Sequence, residues 1–125
     1  MPRSLLPLLV LIAACTTTSC APKVRPTHWA QPVVGKGADN WYQVSPELYR
    51  CAQPSADDMK ALAAFGIKSV VNLRDYHSDK DEIAGTGMQL TEVPTSAGDM
   101  SYADLTAAVK ALLASPKPVA VHCWR

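Results

Sequence analysis

The sequence has almost no surplus of charge: 12 Lys and Arg stand against 11 Asp and Glu over 125 residues, a formal net charge of +1. That balance excludes a polybasic membrane patch and predicts no nucleic-acid partner. Long apolar runs are missing too. The longest, Leu5 to Ala14, is roughly ten residues with Pro7 inside it, too short to cross a hydrocarbon layer ~30 Å thick as a helix. The chain is also short. One domain is expected. Setting aside the leader and the polar stretch behind it leaves roughly 85 residues for the fold, near the size at which one core is marginally stable. Metal-ligand patterning is absent as well. Asp79, Asp81 and Glu82 read as solvated surface acids, and neither a metal nor another cofactor is expected.

What the N-terminus does have is Arg3, the apolar run, and then Ile12-Ala13-Ala14-Cys15, which suits the core of a signal peptide. These first fifteen residues resemble bacterial lipoproteins, whose lipobox sets an aliphatic residue and two small ones before the lipidated cysteine. The resemblance implies cleavage before Cys15, acylation of Cys15 (palmitate included), and anchoring in the cell envelope. Thr16, rather than an aspartate, implies the periplasmic face of an outer membrane rather than an inner one. Ordinary secretion, with cleavage near Ala21, is the alternative. The expected division is residues 1–14 signal peptide, 15–40 lipidated tether and 41–125 folded domain. The tether is Thr, Ser, Pro, Gly and Lys with no helical or strand period. His28 and Trp29 fall inside it, and His28 is given no role.

In the body, Trp41 to Val44 and Leu48 to Ala52 read as short strands joined by a turn at Ser45-Pro46-Glu47. Ser55, with Asp58 three residues on, caps a helix whose apolar face is Met59, Leu62, Ala63 and Phe65 and which stops at Gly66. Ile67 to Leu73 is a β-branched strand. Strand, helix, Gly and strand make a βαβ unit, so the sheet is at least partly parallel. Arg74 to Glu82 is a polar loop, broken by Gly85-Thr86-Gly87, and Met88 to Val93 alternates as a third strand does. Pro94 to Met100 is a loop. Ser101 then caps a second helix through Asp104, with an apolar stripe of Leu105, Val109, Leu112 and Leu113. The fold class is α/β, a mostly parallel sheet with flanking helices.

The last strand carries the chemistry. Pro118-Val119-Ala120-Val121 is apolar on both faces, as strands inside parallel sheets are, and His122-Cys123 follows it. A cysteine there sits where α/β folds place ligands, at the carboxyl end of the sheet. Backbone amides and a helix N-terminus after it would lower its pKa and cradle an oxyanion.

Four stretches recur in order: Leu48-Tyr49-Arg50-Cys51-Ala52-Gln53-Pro54-Ser55, Gly66-Ile67-Lys68-Ser69-Val70-Val71-Asn72-Leu73-Arg74, Gly85-Thr86-Gly87, and Pro118 to Cys123. With them the chain, from about Trp41 to Arg125, resembles the bacterial dual-specificity-phosphatase-like branch of the cysteine-dependent protein tyrosine phosphatases. The resemblance implies a protein tyrosine phosphatase-like fold and hydrolysis of phosphomonoesters, on phosphorylated proteins or small molecules, through a phosphocysteine. It makes Cys123 the nucleophile and His122 its supporting neighbour on the substrate-binding side. In that family the signature runs His-Cys, five residues, Arg. The signature arginine therefore belongs beyond Arg125, and Arg125 itself falls on a variable loop position. The expectation is a phosphate site, and a fold, left incomplete at the C-terminus, with little or no turnover by the polypeptide as written.

The family's general acid lies on an upstream loop. Asp99 is the candidate, with a plain turn residue as the alternative; Asp104 is the fallback, better read as a helix cap. Arg74 ends a strand on the same edge as Cys123 and could bind phosphate; a salt bridge to Asp75 or Asp79 is favoured over that role. Cys51 reads as a small buried residue rather than a disulfide partner of Cys123. Two other functions compete with the phosphatase. One is a non-catalytic, truncated phosphatase-like lipoprotein. The other is a rhodanese-like sulfur transferase, which the Tyr49-Arg50 to Ser55 stretch argues against.

Overall fold

The computed structural model describes residues 24–35 and 37–124. The expected signal peptide, the lipidation site Cys15, Cys20 and Arg125 lie outside the described residues. Among the described residues no helix is long and apolar enough to cross a membrane.

Six strands and two helices follow one another: β1 Gln31–Pro32, β2 Tyr42–Ser45, β3 Leu48–Cys51, α1 Ala56–Phe65, β4 Ser69–Arg74, β5 Gln89–Thr95, α2 Tyr102–Ala114 and β6 Val119–His122. They form one sheet in the order β1-β2-β3-β6-β4-β5. Strands β3, β6, β4 and β5 are parallel, and β1 and β2 add an antiparallel edge. The last strand in sequence is thus a central one, inserted between β3 and β4. Its partners are hydrogen-bonded on both sides, which is why Val119-Ala120 can be apolar throughout and fully buried. The βαβ unit read from the sequence is present as β3-α1-β4, but its two strands are neighbours of β6 rather than of each other.

Helix α1 begins where the Ser55 hydroxyl accepts the Asp58 N–H at 3.2 Å, while the Asp58 carboxylate accepts the Ser55 N–H at 2.9 Å. It ends at Gly66, whose φ of 112° is the left-handed conformation that spares glycine a Cβ clash. Met59 and Leu62 have no exposed surface and meet Val70, Ala120, Tyr49 and Trp41 in the core. Truncating Leu62 to Ala would remove about 2–5 kcal/mol of stability. Phe65 meets Trp41 and Tyr49 edge to face, with ring centroids 4.8 and 5.5 Å away.

Two expectations need correction. The stretch given to the tether contributes structure from residue 31: β1 joins the sheet, and Val33 and Ala38 pack on the core. Gly37 makes this possible, because a Cβ there would lie 1.7 Å from the Trp41 ring. The polar composition of 16–40 concealed a short edge strand that lacks any period. Helix α2 is capped by Ser101 and Asp104 as expected, but its stripe does not face the core. Ala108 is buried, whereas Leu105, Val109 and Leu113 are exposed. The helix packs on β4 and β5 through its small side.

Candidate active site

Because β3, β6, β4 and β5 run the same way, their carboxyl ends share one edge of the sheet. That edge assembles Cys51-Ala52-Gln53, Cys123-Trp124, Arg74-Asp75 and Thr95-Ser96-Ala97. Cys123 is the first residue past β6 and is half-buried. It opens into a cavity of about 380 Å³ walled by Arg74, Asp75, Tyr76, Thr95, Ala97 and Trp124. A second depression of about 490 Å³, lined by Asp39, Asn40, Ala52 and Gln53, lies across the shared wall of Arg74 and Trp124. It is larger but does not reach the thiol, so the first is the candidate site.

Arg74 does not make the expected salt bridge. Among the described residues no carboxylate lies within ion-pair distance of it. Its guanidinium instead sits 4.0 Å from the centre of the Trp124 ring and donates to Gln53 Oε1 at 2.9 Å. Its backbone N–H donates to Asn72 Oδ1 at 2.8 Å, and Asn72 Nδ2 donates to the His77 carbonyl at 3.0 Å, fixing the bend after β4. A cation without a carboxylate, on the wall of the thiol's cavity, is placed to meet an anion.

His122 points the other way. Its ring is wholly buried, with Nε2 on Asp79 Oδ2 and Nδ1 3.1 Å from the Cys123 carbonyl. It stands beside Cys123 as a supporting neighbour from the interior, because strand alternation turns residue 122 inward and 123 outward. Asp79 is not a surface acid. It is fully buried and accepts from Gln53 Nε2 at 2.8 Å besides His122. Burial alone would push its carboxyl up, but the hydrogen bonds from His122 and Gln53 and the imidazoles of His122 and His77 hold it below the ordinary range. A continuous chain of contacts therefore runs Arg74–Gln53–Asp79–His122–Cys123, from the cavity wall through the interior to the thiol's own carbonyl.

Asp99 lies on the exposed loop after β5, its N–H closing a turn on the Ser96 carbonyl at 3.1 Å. Thr95 and Ala97 of that loop line the cavity; Asp99 does not. Asp104 is the helix cap, its carboxyl held below the ordinary range by the Ser101 hydroxyl and N–H. Cys51 and Cys123 are both free thiols. The sequence reading missed Asp79 and Gln53 as interior partners of the site and Asp75 as part of its wall. Only the proximity of the Gln53 and Arg74 stretches to strand ends could have pointed to them.

No protein-family model matches the sequence. Over 102 residues, 79% of this chain, it is 30% identical to the dual specificity protein phosphatase TpbA of Pseudomonas aeruginosa (strain UCBPP-PA14) and covers 45% of that protein. The chain thus spans about half the length of the curated relatives it matches. The crystal structure of P. aeruginosa TpbA with phosphotyrosine matches with a TM-score of 0.67 and 28% identity, over 80% of this chain and 61% of that one. The core catalytic domain of the PP-IP phosphatase SIW14 from S. cerevisiae, in complex with citrate, matches with a TM-score of 0.61 and 26% identity, over 71% of this chain and 58% of that one. Over the part it spans, the chain is similar in sequence to a dual specificity phosphatase, and its mostly parallel α/β sheet has a protein tyrosine phosphatase-like fold.

Proposed function

We propose that the protein takes part in phosphomonoester hydrolysis of the cysteine-dependent, tyrosine or dual-specificity type. The observation that carries this reading is the Cys123 thiol at the carboxyl end of a central strand, opening into the cavity that holds the guanidinium of Arg74. The Cys123 thiolate attacks phosphorus and forms an S–P bond as the P–O bond to the leaving group breaks. An acid delivers a proton to the departing oxygen. Water then attacks phosphorus, the S–P bond breaks, and inorganic phosphate and the thiolate are released. His122, donating to the Cys123 carbonyl and backed by Asp79, holds the strand end in place, and Arg74 attracts the dianionic substrate. The relative crystallised with phosphotyrosine supports a phosphorylated substrate.

Asp99 is assigned as the general acid on the strength of its loop; Asp75 is the competitor, because it lines the cavity itself. Hydrolysis of phenyl phosphate and nitrophenyl phosphate by the full-length protein separates them. Loss of the acid slows the poor leaving group, phenol, far more than the good one. That asymmetry is expected for Asp99→Asn and not for Asp75→Asn, and the reverse result transfers the role. A total absence of Cys123-dependent aryl phosphate hydrolysis would reject the reading itself. The proposal extends to location: a lipid on Cys15, after cleavage of residues 1–14, would tether the domain to the periplasmic face of the envelope. Metabolic labelling with palmitate, lost in Cys15→Ala, checks it.

A further inference from the structure

Next to His122, three side chains of the segment after β4 converge. One donor atom from each of His77, Asp79 and Glu82 lies within 4.8 Å of the others. His77 Nε2 is 3.2 Å from Asp79 Oδ1 and 3.5 Å from Glu82 Oε1. Both are within ion-pair distance, but neither is aligned as a hydrogen bond. His77 Nε2 and Glu82 Oε2 are both shut off from solvent, and both lack a hydrogen-bond partner. A ring N–H this near a carboxylate ordinarily points at it; here the direction of the nitrogen misses both oxygens.

Close spacing without alignment is what donor atoms show when they are arranged around a common centre. Two ligands about 2.0–2.1 Å from a tetrahedral ion stand about 3.3–3.4 Å apart, and the two measured separations bracket that. The rest of the surroundings fits as well. Asp79 is gripped from outside by Gln53 and His122, as metal-ligating carboxylates are by their outer partners. The Ile83 N–H closes a turn on the Asp79 carbonyl at 2.9 Å, which carries Glu82 back over Asp79.

We propose that His77, Asp79 and Glu82 form a binding site for one divalent transition-metal ion of the zinc class. One imidazole and two carboxylates suit such an ion, with a position left for water. The ion ties the segment after β4 to β6 through Asp79 and His122; it performs no step in the phosphoryl site. The site rests on these three side chains alone, so it holds or fails independently of the phosphatase reading.

The test is made on the full-length protein carrying Cys123→Ser, which removes the open thiol as a rival zinc ligand. Metal-free protein is titrated with Zn2+ by calorimetry, beside the same protein carrying His77→Ala or Glu82→Gln. The expected result is one zinc per chain, with a dissociation constant at least about tenfold larger in each variant. Co2+ in place of zinc should give visible absorption bands that both variants lose. Glu82→Gln keeps the size of the side chain, so an unchanged circular dichroism spectrum separates a lost ligand from a lost fold. Zinc binding indifferent to both substitutions overturns the proposal. So does a natively folded protein that binds no zinc, in which case the cluster shares protons instead.

Discussion

Two cysteines end neighbouring parallel strands and have opposite fates. Cys51 closes β3 and pairs in register with His122; Cys123 comes one position later, just past the end of β6. Cys51 is covered by the start of α1 and is only 4% exposed. Burial first, then the carboxylates of Asp58 and Asp79, push its thiol up to about 12. At neutral pH it therefore stays a protonated thiol. Cys123 has turned outward into a cavity with a cation on its wall. Residue type is the same in both. One step of register, which decides between the interior and the mouth of the sheet, packs one thiol away and opens the other to a cavity.

The largest effect should come from exchanging the outward thiol. In the full-length protein Cys123→Ser is expected to lower aryl phosphate turnover by about a thousandfold or more, because a neutral hydroxyl replaces a thiolate. Cys51→Ala should leave kcat/KM within about twofold, since its sulfur only fills space. Steady-state assays on both variants check the contrast, and equal losses would break it.

This contrast was half legible in the sequence. Cys123 could be placed because a short apolar strand followed by His-Cys states its own position, and local signals also gave the α1 caps and placed every strand but β1 to within two residues. The sequence could not show that β6 slots between β3 and β4, because strand order depends on non-local pairing that no local pattern encodes. Asp79 was misread for the same reason. Its neighbours Ser78, Lys80 and Asp81 are exposed, and only the folded sheet supplies the buried imidazole that makes its burial tolerable. Arg74 was paired with the nearest acids in sequence, whereas Gln53 and Trp124, distant along the chain, hold it. The stripe of α2 was assigned to the core by its period, but a period shows only that a helix has an apolar side, not that a partner covers it.

The interior side of the same strand end gives the next effect. Asp79→Ala leaves His122 and Gln53 facing a void with donors unpaired. Loss of one partner of a buried pair costs about 3–5 kcal/mol, read as a fall in the urea midpoint. Arg74→Ala, on the solvent side of the same chain of contacts, should cost less than about 1.5 kcal/mol while raising KM for aryl phosphate. If the two variants lose equal stability, the distinction between an interior frame and an open wall fails.

Alkaline titration sharpens the comparison further. Cys51 is protonated in the folded state up to about pH 12, against an ordinary value of 9.0. Between those values the unfolded chain gives up the proton and the folded one keeps it. Stability is fully present below about pH 9 and should fall by about 1.4 kcal/mol per pH unit above it. Denaturant melts from pH 8 to 11 should show that slope, and Cys51→Ala should remove its share. Cys123→Ser should leave the share due to Cys51 in place.

The smallest effect separates the helices in the way the cysteines are separated. Leu62 of α1 is fully covered, while Leu105 of α2 is half exposed although it belongs to an equally apolar stripe. Leu62→Ala should cost about 2–5 kcal/mol, from lost transfer energy and the cavity left behind. Leu105→Ser should cost less than about 0.5 kcal/mol, as surface changes do. Chemical denaturation of both variants decides the point. A cost near 2 kcal/mol for Leu105→Ser would show that the stripe is covered in the full-length protein, and α2 would then join α1 as a helix with a buried apolar face.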